Sequence, residues 1–351
     1  MAIQDYCINK SDTILNGIKT LDKMAKKIVL VVEEEKLIGV VTDGDVRRWI
    51  LQNGNLDAAV ENIMNIHPIF IEEHEIRKAK QIFVKHMIEA LPVLNKDRRV
   101  VDILFWSDSI EVPRKSTREL ENTPVVIMAG GKGTRLYPYT KVLPKPLIPI
   151  GEQTILERIM NKFRDFGCTN FYLTVNYKKN MIKAYLEDKR EEVNITYVEE
   201  EKFLGTGGSL YLLKETLNQT FFLSNCDILV DADYTDIMKY HKQNGNKITM
   251  VTSLKSYTIP YGVITVANGG GIREITEKPE YNFQVNTGLY VLEPEIINEI
   301  PENEFYHITQ LINAYVEKGD KVGVYPITEK SWLDMGEIKE MEDMINRLKV
   351  E

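Results

Sequence analysis

Cysteine and histidine are scarce in this chain of 351 residues. The three cysteines, Cys7, Cys168 and Cys226, lie far apart without metal-ligand spacing, and the five histidines do not cluster, which argues against a zinc site built from either. Each cysteine sits in or beside an apolar segment, so buried thiols in a reducing compartment are expected. No apolar run reaches membrane-spanning length, and the opening Met1-Ala-Ile-Gln-Asp-Tyr6 lacks a basic end leading into an apolar core; the expectation is a cytoplasmic protein with no membrane partner. A surplus of positive charge is also missing, since the net charge is -8, so nucleic acid finds no support as a partner. What remains is a composition that is 43% hydrophobic, enough for ordinary cores in two or three domains.

The most informative pattern that is present is Val125-Val-Ile-Met-Ala-Gly-Gly-Lys-Gly-Thr-Arg135, followed by Lys145-Pro-Leu-Ile-Pro149. A run suited to a buried strand empties into a glycine-rich turn whose amides can wrap a phosphate, and Arg135 and Lys145 add fixed cations. A Walker A loop needs Ser or Thr after Gly-Lys, but Lys132 is followed by Gly133; a dinucleotide fingerprint needs a third glycine where Leu136 stands.

With Gly-Gly-x-Gly-Thr-Arg-Leu and Lys-Pro-x-x-Pro in this order, the chain from Val125 onward resembles the sugar-phosphate nucleotidyltransferases, or NDP-sugar pyrophosphorylases. The downstream sequence agrees with such a domain. Ile155, Leu156, Ile159, Met160, Phe163 and Phe166 recur at helical spacing, the strand 171–175 follows, then a helix over 180–187 and the strand 194–198. This alternation predicts an α/β fold, a Rossmann-like, mixed and mostly parallel sheet with ligands at the carboxyl ends of its strands.

Further motifs lie just past such ends. Gly205, Thr206, Gly207 and Gly208 form a second glycine-rich turn at a helix start, where bare backbone lets a flat base approach. The resemblance implies that this loop holds the base. Guanine offers two adjacent N–H donors and a carboxylate accepts both, so the run Glu199, Glu200, Glu201 leans toward GTP, with Glu200 as the reader; the other reading of the run is a solvated face. Asp227 ends the strand run Phe221 to Asn225, and Asp334 follows the strand predicted over 322–325. Each alone reads as a capping residue, whereas the resemblance makes them the pair that holds Mg²⁺ on a triphosphate. It further assigns the sugar to Gly262, Glu277, Lys278 and Asn286, while Asn268-Gly-Gly-Gly271 reads as a plain hairpin turn.

The reaction implied is attack of a sugar 1-phosphate oxygen on the α-phosphorus of a nucleoside triphosphate, with release of pyrophosphate. Ala129, Gly130, Gly131, Gly133 and Thr134 would cradle the triphosphate, Arg135 would neutralise the departing pyrophosphate, Lys145 would reach the α-phosphate and Lys278 the sugar phosphate. Alignment and charge neutralisation suffice, with no nucleophilic side chain.

Residues 1 to about 115 carry a weak repeat. Val29 to Asp45 reads as two short strands, a charged turn between them, and a helix from Val46; Ala90 to Asp108 repeats strand, turn and strand, each copy following an amphipathic segment, 14–24 and 76–88. The doubled unit resembles a CBS-domain pair, which implies an adenine or guanine nucleotide as ligand and face-to-face homodimers. Gly39, Thr42 and Asp45 keep the motif of that family, and Thr42 and Asp45 are its candidate ligand residues; the alternative for Asp45 is a cap on the helix from Val46. The second copy has Asp102 and Phe105 in place of glycine and threonine, leaving Asp108. The organisation expected is a CBS pair over 1–115, a linker over 116–123 and a catalytic domain over 124–351. The combination most resembles CBS-bearing guanylyltransferases of nonulosonic-acid pathways acting on glucosamine 1-phosphate. Thymidylyl or uridylyl transfer, and a non-catalytic nucleotide sensor, are the competing readings.

Overall fold

Residues 3–24, 28–86, 88, 90–105, 118–187 and 193–348 are described by the computed structural model. They fall into two units: Met1–Lys115 together with Pro326–Lys330, and Ser116–Tyr325 together with Ser331–Glu351.

The first unit contains β1 (Cys7–Asn9), α1 (Ile14–Met24), β2 (Ile28–Glu33), β3 (Lys36–Thr42) and α2 (Asp43–Leu51). A second set follows as β4 (Ile71–Glu72), α3 (Ala79–His86), β5 (Ala90–Leu94) and β6 (Val100–Phe105). In both sets the first strand is parallel to the second and the second antiparallel to the third. The repeat seen in the sequence is thus a repeat of topology. Ile14, Ile18 and Leu21 lie on one face of α1 and are buried, and Leu30, Leu94, Tyr6 and Phe105 join the two copies in one core.

One detail departs from the sequence reading. The second helix begins at Asp43, three residues before the expected Val46, so Asp45 is its third residue and Thr42 its cap. The Asp45 carboxylate accepts from the Thr42 amide (2.8 Å) and the Thr42 hydroxyl (2.7 Å), and pairs with Arg48. Both candidate ligand groups of the motif therefore serve the helix start as a capping box. Asp108 and the first part of the expected linker, up to Thr117, lie outside the described residues.

The second unit runs β7 (Pro124–Met128), α4 (Tyr139–Val142), β8 (Pro149–Ile150), β9 (Gln153–Thr154), α5 (Ile155–Arg164), β10 (Asn170–Val175), α6 (Lys179–Leu186), β11 (Asn194–Glu199), β12 (Phe221–Asn225), β13 (Ile228–Val230), α7 (Tyr234–Asn244), β14 (Ile248–Thr258), β15 (Val263–Val266), β16 (Ile272–Thr276), β17 (Glu280–Leu292), α8 (Ile308–Lys318), β18 (Val322–Ile327), β19 (Trp332–Asp334) and α9 (Ile338–Leu348). Seven strands form the main sheet in the order β11-β10-β7-β12-β17-β14-β18. The first four are mutually parallel, and β17 runs antiparallel to β12 and β14. From β7 the chain crosses first to β10 and β11 and later to β12 on the other side, which makes the carboxyl end of β7 a topological switch point. The glycine-rich loop leaves from that point.

Helix α5 shows how the sequence writes this layer. Thr154 and Glu157 form a capping box, and the apolar stripe Ile155, Ile159 and Phe163 is buried. Phe163 meets Phe171, Phe222 and Tyr234 edge-on, so its truncation to alanine is expected to cost about 3–5 kcal/mol. Strand β17 extends well before its apolar run over 289–292. Strand β17 starts at Glu280 because its polar half continues the ladder with β14, across a register shift between Met250 and Thr252. The glycine turn at 268–271 closes the hairpin β15–β16 as expected, with the Ala267 amide donating to the Gly271 carbonyl.

Candidate active site

Buried on both faces, β7 delivers the glycine-rich loop to the sheet edge. Ala129 is itself buried and its amide is spent on the Thr174 carbonyl (2.9 Å), so among the expected cradle it extends the sheet and does not offer an N–H to phosphate. A side chain on Gly130 would lie 2.7 Å from Oε1 of Glu200, which only glycine avoids. By contrast nothing approaches Gly131, and Thr134 and Arg135 are exposed in a single turn after Gly133, whose φ of 64° is left-handed. The loop from Gly131 to Arg135 is thus the open part.

Lys145 is buried and its ammonium forms an ion pair with the Asp227 carboxylate. Asp334 belongs to the same place. Strands β13 and β19 pair with Ile228 opposite Asp334, and the Met335 amide donates to the Asp227 carbonyl (2.8 Å). Burial, and next the charge of Asp227, push the Asp334 carboxyl up to about 6, while Lys145 and Arg135 pull it down. All four residues named from the sequence are therefore electrostatically coupled. Two carboxylates are the hard-oxygen donors suited to Mg²⁺, and the Lys145 ammonium already seated on one of them marks the spot as a cation position. Among the described residues no group of three or more His, Cys, Asp or Glu could hold a metal, so phosphate oxygens and water would complete the shell.

The three glutamates of the acidic run have separate fates. Glu199 is paired with Lys179 and Lys183, whose hydrogen bonds pull its carboxyl down to about 2, and Glu201 is exposed. Glu200 is 3% exposed, accepts from the Leu204 amide (3.1 Å), and is pushed up by burial. It joins the phosphate loop to the second glycine turn. Side chains at Gly205, Gly207 and Gly208 would come within 2.4–2.8 Å of backbone in Glu304–Ile308, and the amides of Gly207 and Gly208 donate to the Tyr306 carbonyl. These glycines are bare so that another segment can press against them, and not simply to admit a base. Thr206 likewise accepts from the Ile308 amide (3.2 Å) at the start of α8.

The residues expected to meet the sugar gather in two places. A side chain on Gly262 would lie 3.0 Å from the Glu277 carboxylate, and the Lys278 amide donates to the Tyr261 carbonyl, so Gly262, Glu277 and Lys278 meet at the base of the hairpin. Lys278 has φ 46°, a left-handed conformation unusual for a lysine. Asn286 lies within β17 with its side chain engaged, donating to the Tyr290 hydroxyl (2.6 Å) and accepting from the Gly288 amide (2.9 Å). Sequence reasoning missed Asn225, against which Gly288 packs so closely that a side chain there would come within 2.5 Å of its amide nitrogen. Its position two residues before Asp227 was the only signal.

The chain has relatives among known proteins. Residues 124–350 match the nucleotidyl transferase family. The chain belongs to that family. Residues 3–52, the first of the two repeats, match the CBS domain. Among curated proteins it is similar to the UTP–glucose-1-phosphate uridylyltransferase of Synechocystis sp. (31% identical over 61% of this chain and 60% of that protein) and to the mannose-1-phosphate guanyltransferase of Saccharomyces cerevisiae (32% over 61% and 62%). The chain thus spans about three fifths of the length of these curated relatives. The fold of HddC from Yersinia pseudotuberculosis is shared at a TM-score of 0.52 and 22% identity, over 64% of this chain and 99% of that one. No helix among the described residues is long and apolar enough to cross a membrane.

Proposed function

We propose that this nucleotidyl transferase moves a nucleotidyl group from a nucleoside triphosphate to a sugar 1-phosphate, releasing pyrophosphate, with GTP and glucosamine 1-phosphate as the preferred pair. The observation that carries the reading is the meeting of Lys145, Asp227 and Asp334 beside the open part of the glycine loop, where two anionic substrates have to be brought together. Mg²⁺ held by Asp227 and Asp334 would supply charge neutralisation on the phosphates. Gly131 to Arg135 bind the triphosphate, Lys145 orients the α-phosphate, and Lys278 with Glu277 holds the sugar phosphate and a sugar hydroxyl.

Preference for GTP is supported by Glu200. An acceptor-only carboxylate between the two glycine loops matches the paired N–H donors of guanine and opposes the carbonyls that flank the single N–H of uracil or thymine. Uridylyl transfer is the second reading, favoured by the substrate named for the Synechocystis relative. The CBS module would bind an adenine or guanine nucleotide and bring two chains together as a homodimer. Pyrophosphate release with Mg²⁺, measured across four nucleoside triphosphates and a panel of sugar 1-phosphates, tests the proposal. The fastest rate is expected with GTP and glucosamine 1-phosphate; silence across the panel favours a nucleotide sensor.

A further inference from the structure

Between β10 and α6 stands Asn176-Tyr177-Lys178, a tripeptide that belongs to no motif. Each of its residues reaches a different part of the site. Asn176 Nδ2 donates to the Glu200 carbonyl (2.8 Å). The Tyr177 amide donates to the Gly130 carbonyl (3.3 Å) and its hydroxyl to the Thr140 carbonyl (3.1 Å). Lys178 Nζ donates to the carbonyls of Lys141 (2.6 Å) and Val142 (2.7 Å). Thr140, fully buried, passes the connection on by donating through its hydroxyl to the Gly133 carbonyl (2.8 Å).

The side-chain contacts of Tyr177 and Lys178 fall on α4, the four-residue helix between Arg135 and Lys145. So short a helix has no stability of its own, and its last carbonyls have no partners within it. An ammonium placed on those carbonyls satisfies them and matches the negative end of the turn. The backbone of Lys178 makes the arrangement more telling. Its φ of 51° lies in the left-handed region, where glycine sits freely and a residue with a side chain is disfavoured. As the residue preceding α6 it makes no side-chain cap, so the helix it introduces does not account for a lysine there. The side chain held in this disfavoured conformation is the one that grips the segment between the two catalytic cations.

The geometry points to Lys178 as a positioning residue of the transfer reaction, backed by Tyr177: it fixes α4 so that Arg135 and Lys145 converge on the same polyphosphate. This role rests on the activity proposed above. Lys178 touches no reacting group; without it the two cations lose their common alignment, and in-line transfer is sensitive to such displacement.

The test compares full-length wild type with Lys178→Gly, Lys178→Met and Lys178→Arg, using pyrophosphate release with the best substrate pair of the panel and thermal melting. For Lys178→Gly and Lys178→Met, kcat should fall by about ten- to a hundredfold while KM for the sugar 1-phosphate stays within about twofold, the residues proposed to hold the sugar lying elsewhere, at the base of the β15–β16 hairpin and in β17. Lys178→Gly should melt at or above the wild-type temperature, because glycine relieves the left-handed backbone. Lys178→Arg, which can still donate to both carbonyls, should recover most of the rate. A Lys178→Gly protein that turns over like wild type overturns the proposal, as does a rate loss that simply follows a lowered melting temperature, or an arginine variant no better than the methionine one. Wild type silent on every pair overturns the transfer reading and this role together, whereas active wild type with an unaffected variant overturns this role alone.

Discussion

Lys145 and Asp227 are joined by a direct ion pair although 82 residues separate them in the chain. The pair places a cation on one of two neighbouring carboxylates before any substrate arrives, and it ties the segment after the glycine loop to the end of β12.

Replacing Lys145 with methionine should lower turnover by about 100- to 1000-fold, the scale of losing one preorganised charge at a developing anion. Without a divalent ion the variant should also melt lower, since Asp227 is left half-buried and without its lysine, and Mg²⁺ should restore the melting temperature but not the rate. Near wild-type pyrophosphate release would remove Lys145 from the chemistry.

Asp334 links the site to pH. Its carboxyl is raised from 3.8 to about 6, so between those values the folded protein keeps a proton that the unfolded chain has released. Its contribution to stability is therefore full below pH 4 and is lost as pH rises through 6, where the bare carboxylate faces Asp227. A divalent ion needs that carboxylate ionised. Mg²⁺ should accordingly raise the melting temperature more at pH 7.5 than at pH 5, and Asp334→Asn should abolish the difference; an undiminished Mg²⁺ effect in that variant would exclude Asp334 as a ligand.

Base choice should respond to Glu200. Glutamine offers one acceptor and one donor, which suits the pairing edge of uracil or thymine better than that of guanine. Glu200→Gln should shift the ratio of kcat/KM for GTP over UTP by about 10- to 100-fold toward UTP, the worth of a mismatched polar contact. An unchanged ratio would leave Glu200 a purely structural brace.

A structural histidine gives a separate pH signature. His241 is fully buried, with Nδ1 2.8 Å from Thr249 Oγ1 and Nε2 3.1 Å from Glu293 Oε1. Burial lowers its pKa below the ordinary 6.5, assisted by Lys242 and opposed by Glu293 and Glu295. The unfolded chain takes up the proton first as pH falls, so the stability that the neutral ring contributes is lost below about 6.5. The gap in melting temperature between wild type and His241→Gln should narrow from pH 7 to pH 5; a constant gap would show that the ring does not titrate on unfolding.

Much of this architecture was legible in the sequence because it is written in local patterns. The apolar run before Gly130, the stripe of α5 and the turn at 268–271 need only neighbours in the chain to be understood. The long β17 ladder was not legible, since Tyr281 to Gln284 are ordered by pairing with β14 and not by their own hydrophobicity. The same holds in the site. Gly205, Gly207 and Gly208 announce a glycine-requiring place, but only the contact with Glu304–Ile308 shows what requires it. Lys178 and Asn225 carried no motif, because what they do depends on which distant backbone lies opposite.

In the first unit, the Asp45 carboxylate is already shared between Thr42 and Arg48 at the mouth of α2. A nucleotide that bound there would have to compete with the helix for Asp45. Occupancy would then be recorded as a loosening of that helix's opening turn, so the module's sensitivity to a nucleotide would be set by how readily nine residues of helix can spare their first bond.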